Sequence, residues 1–346
     1  MNHQINYNLK IMKRVHSLIE RIAEMENLRL AFWKASHRKS GKKEVLDFQM
    51  NLEKNLMIMK EQILDGSIEV GNYHYFKIYD PKERLICAAS FPERVLHHAI
   101  MNVCEPVFER YQIYDSYATR KGKGTHAALQ RAYCFQKKNS VFLKLDVRKY
   151  FYSIDQEILM RLLYRKFKDP HLLRLFEKII QSYETEYGKG LPIGNLTSQF
   201  FANFYLAGFD HFVKEVLKVL YYVRYMDDMV FWCNSKYEMK YKAMQIEEYI
   251  SKLNLTLKPE ILNYTDKGLS FLGYRLFKYR IRLNNRSKQR FKKKLIEYNK
   301  KLEKRIWTQK CYQCHILPLL DFISKADTIC LRNNILKGID QWASTA

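Results

Sequence analysis

The sequence predicts an α+β fold in which helical segments at both ends flank a centre where short strands and helices alternate. Three observations predict this class. Apolar residues recur at helical spacing through the first 65 residues, and β-branched and aromatic residues dominate several short central segments. The last part of the chain carries a strongly basic amphipathic stretch. With 346 residues, the chain is long enough for about two domains and a buried core.

The N-terminal part is predicted to be helical and to give way to a hairpin. Residues 67–90 are rich in β-branched and aromatic residues, and Asp80-Pro81 marks a turn between two strands. From 92 to 108 the spacing is helical again. Two sets of apolar residues carry the N-terminal helical pattern: Met12, Val15, Ile19 and Ile22, and then Phe48, Leu52, Leu56 and Met59.

Strand and helix patterns alternate through the centre of the chain, and the tail has a basic helical pattern. Ser153 and Gln156 have the spacing of a capping box, and 159–180 is helical by period. The basic stretch lies between Arg286 and Arg305, where ten Lys or Arg residues outnumber two Glu. Its apolar residues fall on one helical face and leave the opposite face basic. Strands are predicted at 141–146, on both sides of a tight turn within 221–233, around 255–258 and at 269–274.

The charge balance points to a polyanionic partner. Sixty Lys and Arg against 36 Asp and Glu give a net charge of +24 and a pI near 9.6. Together with 25 Tyr and 20 Phe, this excess favours a nucleic acid. The chain has no run of 18 apolar residues and no signal-peptide pattern, so no membrane association is expected. Seven scattered cysteines suit a reducing cytoplasm, which is the expected location.

The sharpest chemical feature is the run Tyr225-Met226-Asp227-Asp228 between two apolar segments. Neighbouring residues of a strand point to opposite faces, so adjacent aspartates can share a site only at a turn. Buried carboxylates this close are costly unless cations neutralise them. The alternative interpretation is a solvated hairpin tip.

A further carboxylate, Asp146, ends an apolar strand. Alone it could be an ordinary acid at the entry of a helix. If it converges with Asp227 and Asp228, the three supply the oxygen ligands that Mg²⁺ prefers. Two such ions can stabilise the attacking and leaving oxygens of an in-line phosphoryl displacement.

These motifs resemble those of reverse transcriptases, and the resemblance runs from about residue 77 to 274. It implies a right-hand polymerase fold with fingers, an antiparallel palm sheet backed by helices, and a short helical thumb. The expected boundaries are an N-terminal extension at 1–66, fingers at 67–140, palm at 141–275 and a basic helical thumb at 276–346. The implied cofactor is Mg²⁺ as two ions, with Mn²⁺ as a substitute.

The resemblance also implies roles for individual residues. Asp146 and Asp227 would hold the metal ions with the help of Asp228 and Val147, and Phe151 would reject ribonucleotides at the sugar 2′ position. The nucleotide-binding set is Lys82, Arg84, Phe151, Ile193, Gly194 and Lys258. The primer grip is Phe271, Leu272, Gly273 and Tyr274, and the thumb residues on the nucleic acid are Arg286, Lys288, Arg290, Lys293 and Lys294.

The subfamily is indicated by Ile193-Gly194-Asn195-Leu196-Thr197-Ser198-Gln199. Retroviral, retron and group II intron enzymes usually carry Gln before this Gly, whereas the form here resembles reverse transcriptases of diversity-generating retroelements. That family copies a template RNA with errors at adenines, and its cDNA rewrites a variable region of a target gene. An aliphatic Ile193 cannot make the polar contacts of a Gln, which predicts reduced fidelity.

The expected partners are a template RNA, the RNA–cDNA duplex, deoxynucleoside triphosphates and a basic oligomeric accessory protein. The expected source is bacterial or phage-encoded. Two other functions remain open from the sequence: a reverse transcriptase of a phage-defence or retron system, and a non-catalytic RNA-binding scaffold that kept the fold.

Overall fold

The computed structural model describes residues 17–79 and 83–333. Helices and antiparallel sheets make up these residues, which confirms the α+β class. The chain forms two compact units, each assembled from separate segments. Of the described residues, the first unit holds those up to 114, Val147–Phe212 and Ile246–Leu257, and the second holds Asp115–Asp146, Val213–Gln245 and those from Lys258 to 333.

The elements follow one another along the chain as helices and short strands. The helices are α1 (Ile19–Ile22), α2 (Met25–Ser36), α3 (Lys43–Met50), α4 (Leu52–Asp65), α5 (Phe91–Glu109), α6 (Thr125–Lys138), α7 (Tyr150–Ser153), α8 (Gln156–Lys166), α9 (Pro170–Gln181), α10 (Leu196–Tyr205), α11 (Ala207–His211), α12 (Lys236–Lys252), α13 (Asn285–Glu303) and α14 (Gln309–Ser324). The strands are β1 (Tyr73–Ile78), β2 (Arg84–Ala89), β3 (Val141–Asp146), β4 (Tyr221–Tyr225), β5 (Asp228–Cys233), β6 (Ile261–Tyr264), β7 (Leu269–Phe271), β8 (Tyr274–Leu276) and β9 (Ile281–Leu283).

The N-terminal half of the first unit confirms the predicted helices and hairpin. The set from Phe48 to Met59 is divided between two helices, because the backbone leaves the helical conformation at Asn51: α3 buries Phe48, and α4 buries Leu56 and Met59. Helix α4 ends at Gly66 in the left-handed conformation. Strands β1 and β2 form an antiparallel hairpin, and the predicted helix at 92–108 is α5. Met12, Val15 and the predicted turn at 80–81 lie outside the described residues.

The prediction of a single helix at 159–180 is wrong, because the structure has two helices there. Helix α8 ends at Lys166, and α9 begins at Pro170, a residue suited to a first helical turn. The carboxylate of Asp169 accepts hydrogen bonds from the backbone N–H groups of His171 and Leu172. It also accepts from Leu18 (2.8 Å) and Ile19 (2.9 Å), so one side chain joins the start of α9 to the start of α1.

The second unit is built around a four-stranded antiparallel sheet in the order β4-β5-β3-β6. Helix α6 packs on this sheet, and a three-stranded sheet, β7-β8-β9, adds to the same core. The buried Gln136 of α6 accepts from Trp232 Nε1 at 2.8 Å and donates to the carbonyls of Thr265 and Leu276. These bonds join the helix to both sheets.

The predicted strand around 255–258 is wrong. Leu257 forms only an isolated bridge with Val147, and the strand that pairs with β3 begins at Ile261. Pro259 explains the shift, because proline has no N–H to donate and restricts the residue before it. The prediction at 269–274 is also refined, since β7 and β8 there form a hairpin.

Candidate active site

Three carboxylates converge at one end of the four-stranded sheet. Asp146, the last residue of β3, lies directly opposite Asp228, the first residue of β5. Tyr225 pairs with Asp228 across the β4–β5 hairpin, which leaves a two-residue loop of Met226 and Asp227. The tight turn predicted from the sequence is therefore confirmed. It brings Asp227 to the same end of the sheet as the other two aspartates.

The hairpin loop has a strained backbone and is held by a hydrogen bond from a buried arginine. Met226 has φ of 56°, in the left-handed region that non-glycine residues rarely adopt. The Met226 carbonyl accepts a hydrogen bond from Nη1 of Arg224 at 3.1 Å. Arg224 is fully buried on β4, two residues before the loop. Such strain persists only where surrounding contacts hold it, and it is frequent at functional sites.

Two lysines form ion pairs with the carboxylates of Asp146 and Asp228. Lys258 places Nζ 2.6 Å from Asp146 Oδ1, and its backbone N–H donates to the Asp146 carbonyl at 2.8 Å. Lys144 places Nζ 3.0 Å from Asp228 Oδ1 and 2.8 Å from the carbonyl oxygen of Ser270. Directly opposed like charges destabilise a sheet, so these cations offset the repulsion between Asp146 and Asp228.

The third carboxylate, Asp227, has no such ion pair among the contacts of the described residues, and its pKa is strongly raised. Its pKa is raised from 3.8 to about 6, chiefly by burial, next by the neighbouring Asp146 carboxylate and less by Asp228. Burial also raises the pKa of Asp228, although Lys144 opposes that effect. Perturbed carboxylates in a polar cluster are typical of functional sites.

The carboxylates fit a hard divalent cation. Oxygen ligands from one or two carboxylates, completed by substrate phosphates and water, suit Mg²⁺. Asp228 Oδ1 is buried, and its partner among the described residues is the ion-paired Lys144 ammonium at 3.0 Å, so this oxygen lies where a positive charge is needed. No cluster of three or more His, Cys, Asp or Glu arranged to hold a metal occurs within 17–79 and 83–333. The side chain of Val147 is a buried hydrocarbon without a ligand atom, so only its backbone carbonyl could contact a metal.

The predicted nucleotide-binding residues are divided between the two units. Arg84, Phe151, Ile193 and Gly194 belong to the first unit, whereas Lys258 belongs to the second. Lys82 lies outside the described residues. The assignment of these side chains to nucleotide binding stays a prediction.

Within the first unit, the Ile193–Gly194 segment lies along strand β2. The N–H of Cys87 donates to the Ile193 carbonyl at 2.8 Å, and the N–H of Ala89 donates to Asn195 Oδ1 at 3.2 Å. Gly194 has φ of 124°, and a Cβ there would lie 2.9 Å from Ile86 Cγ2. Glycine is therefore required both by backbone conformation and by the close approach to β2.

The predicted primer grip is the β7–β8 hairpin. Leu272 and Gly273 form its two-residue loop, with φ of 47° and 91°. The side chains of Phe271 and Tyr274 are buried in the core of the second unit, and Tyr274 donates its hydroxyl to the Phe322 carbonyl at 2.7 Å. A primer could therefore reach only the loop, whereas the two aromatic residues hold the hairpin in place.

The predicted nucleic-acid residues of the tail lie on helix α13. Its N-cap is Asn284, whose side chain accepts from the Ser287 N–H at 2.8 Å, and its apolar face buries Phe291. Arg286, Lys288, Arg290 and Lys293 are exposed, and Lys294 is half-buried.

No helix among the described residues is both long and apolar enough to cross a bilayer.

The sequence from the β1–β2 hairpin to the end of strand β8 shows which family the chain belongs to. Residues 79–276 match the family described as reverse transcriptase (RNA-dependent DNA polymerase). The match covers more than half of the chain, which therefore belongs to the reverse transcriptase family. Its fold is the right-hand polymerase fold. The chain thus carries the domain of an RNA-directed DNA polymerase, a nucleotidyltransferase that copies an RNA template and uses divalent metal ions.

Individual relatives are distant. Protein YkfC of Escherichia coli is 22% identical over 285 residues, which cover 68% of this chain and 74% of that protein. An uncharacterized 91 kDa protein in a cob intron of Schizosaccharomyces pombe is 26% identical over 152 residues, covering 42% of this chain and 18% of that protein. Apo telomerase from Candida tropicalis has a TM-score of 0.47 at 10% identity, covering 62% of this chain. The chain spans about half of that telomerase.

Sequence reasoning missed two residues that support the site. Lys144 precedes Asp146 by two positions on the same strand, so the period of 2 places both on one face. That signal was present in the sequence. Arg224 precedes the aspartate turn, but its contact with the Met226 carbonyl depends on a buried conformation that spacing does not reveal.

Proposed function

We propose that this protein synthesises error-prone cDNA, with mutations at adenines, from the template RNA of a diversity-generating retroelement. The observation that carries this proposal is Ile193, which stands before Gly194 where a Gln is usual and lies hydrogen-bonded along β2. An aliphatic side chain there removes a polar contact near the nascent base pair. Loss of one such contact is worth about 1 kcal/mol, or roughly fivefold in discrimination.

The proposed reaction adds deoxynucleotides to a primer 3′-hydroxyl and releases pyrophosphate. Asp146 and Asp227 would hold two Mg²⁺ ions, or Mn²⁺ in their place, with Asp228 in support. Such ions stabilise the charge that develops on the attacking and leaving oxygens. Phe151 would reject the 2′-hydroxyl of ribonucleotides, and Lys258 would serve as an acid toward pyrophosphate.

The proposed partners follow from charge. The basic face of α13 would contact the phosphates of the RNA–cDNA duplex. The deoxynucleoside triphosphates would bind at the active site. A basic oligomeric accessory protein would complete the assembly in the cytoplasm of a bacterium or of a phage-infected cell. The cDNA would then rewrite a variable gene region, a process called mutagenic retrohoming.

Sequencing of cDNA made in vitro tests this proposal. The protein is incubated with the RNA encoded beside its gene, Mg²⁺ and four deoxynucleotides, with and without the neighbouring accessory protein, and Asp227→Ala is the blank. Errors concentrated opposite template adenines are expected, and Ile193→Gln should lower their frequency about fivefold. Ile261→Gln, at an exposed isoleucine of β6, is the matched control and should leave the errors unchanged.

Other results would assign another function. Faithful cDNA from the wild-type protein would retain the polymerase and place it with phage-defence or retron enzymes. No cDNA in the presence of the accessory protein would favour the RNA-binding scaffold. An adenine error frequency that is the same in Ile193→Gln and wild type would contradict the role of Ile193.

A further inference from the structure

Lys144 connects two parts of the second unit that the polymerase reaction needs together. Its Nζ atom lies 2.8 Å from the carbonyl oxygen of Ser270, on strand β7 of the primer-grip hairpin. The same atom lies 3.0 Å from Asp228 Oδ1. Its side chain is only 17% exposed, so solvent screens these contacts weakly.

The register of the sheet explains how one lysine reaches both groups. On β3, Lys144 lies opposite Val230, and Asp228 is its diagonal neighbour two residues earlier on β5. Long side chains reach diagonal neighbours across a strand pair. Strand β7 is the edge of its three-stranded sheet, and an edge leaves backbone groups without strand partners. The Ser270 carbonyl obtains its partner from Lys144.

We propose that Lys144 is a positioning residue that fixes the primer-grip hairpin against the catalytic carboxylates. The ammonium group is shared between Ser270, two residues before the Leu272–Gly273 loop, and Asp228, whose buried Oδ1 atom lies 3.0 Å from it. Lys144 thereby sets where a primer 3′ end held by that loop stands relative to Asp146 and Asp227. This inference rests on the proposed polymerase function.

Three substitutions separate positioning from simple charge balance. Lys144→Met keeps the length of the side chain and removes both contacts. Lys144→Arg keeps a cation whose several donors can reach both acceptors. Asp228→Asn keeps an acceptor for Lys144 but removes the charge that holds the ammonium group in place.

The experiment uses the full-length protein bound to an RNA template with a DNA primer that carries 2-aminopurine at its 3′ end. Fluorescence without metal reports the order of the primer end, and single-nucleotide incorporation with Mg²⁺ gives the maximal rate and the KM for the nucleotide. Lys144→Met should loosen the primer end and lower the maximal rate at least about tenfold, since a 1 Å displacement of reacting groups can cost about a hundredfold. The KM for the nucleotide should stay within about twofold, because positioning of the primer is not nucleotide binding.

The controls keep the result interpretable. Lys138→Met, at an exposed lysine ending α6, should match wild type in both measurements. Lys144→Arg should restore the primer-end signal, and Asp228→Asn with Lys144→Met should give no larger fluorescence change than Lys144→Met alone. An unchanged primer end in Lys144→Met, or additive changes in the double variant, would overturn the positioning role. A wild-type protein that neither binds nor extends the primer would instead refute the polymerase function.

Discussion

Asp227→Asn is expected to stabilise the metal-free protein while it abolishes activity. In the folded chain Asp227 has a pKa of about 6 instead of 3.8, chiefly because it is buried and next because Asp146 lies nearby. A carboxyl whose pKa is raised by folding binds its proton more tightly in the folded state. Its ionisation therefore destabilises the fold as the pH rises from 3.8 toward 6, and the full cost is present above that window.

The size of the effect follows from the two pKa values. Each pH unit between the folded and unfolded pKa is worth about 1.4 kcal/mol, so ionised Asp227 costs the fold about 3 kcal/mol at pH 7.5. The same linkage gives about half that cost at pH 5.0. An asparagine removes this cost, and each kcal/mol raises the Tm by about 2–4 °C in chains of 150–250 residues and by less in longer ones.

Thermal unfolding in EDTA at pH 5.0, 6.0 and 7.5 measures this difference. The advantage of Asp227→Asn should grow with pH, and added Mg²⁺ should raise the Tm of the wild type but not that of the variant. Asp47→Asn, at an exposed aspartate of α3, is the matched control and should not change the Tm. An Asp227→Asn protein that melts below wild type at pH 7.5, or whose advantage is independent of pH, would refute the reasoning.

Three further substitutions test the described contacts. Gly194→Ala should lower the Tm, because the left-handed backbone alone costs about 1–3 kcal/mol and the new Cβ meets Ile86 at 2.9 Å; an unchanged melting curve would contradict this. Arg224→Met should lower the Tm less in a Met226→Gly background than in wild type, since glycine adopts φ of 56° without the hydrogen bond; equal losses in both backgrounds would argue against that support. Phe151→Ala should raise incorporation of ribonucleotides relative to deoxynucleotides about tenfold or more, measured by competitive primer extension, and an unchanged ratio would remove its proposed role.

The sequence predicted the three strands that bring the aspartates together because its signals are local. Apolar runs defined β3, β4 and β5, and adjacent aspartates required a turn between the last two. Strand period alone places Lys144 on the face of β3 that carries Asp146, but the groups that Lys144 and Arg224 contact depend on tertiary structure. The cross-strand register places Lys144 beside Asp228, and burial turns Arg224 toward the Met226 carbonyl.

The prediction of a capping box was wrong because another polar residue caps the helix. The expected capping box at Ser153 and Gln156 does not form, because Asp155 caps α8 by accepting from the Ile158 N–H. Ser153 instead donates to the carbonyls of Arg148 and Tyr150. The spacing of apolar residues could not predict which polar side chain caps α8, because several polar side chains near a helix start compete for the same N–H groups.

The carboxylate of Asp169 has a consequence for how the chain folds during synthesis. It accepts two N–H groups from the start of α1, which lie 151 and 150 residues earlier in the chain. A ribosome adds about 5–20 residues per second, so the beginning of α1 is made roughly 8–30 seconds before its acceptor. The first unit is also interrupted twice by segments of the second. Neither unit is therefore complete until segments of the other have also been synthesised.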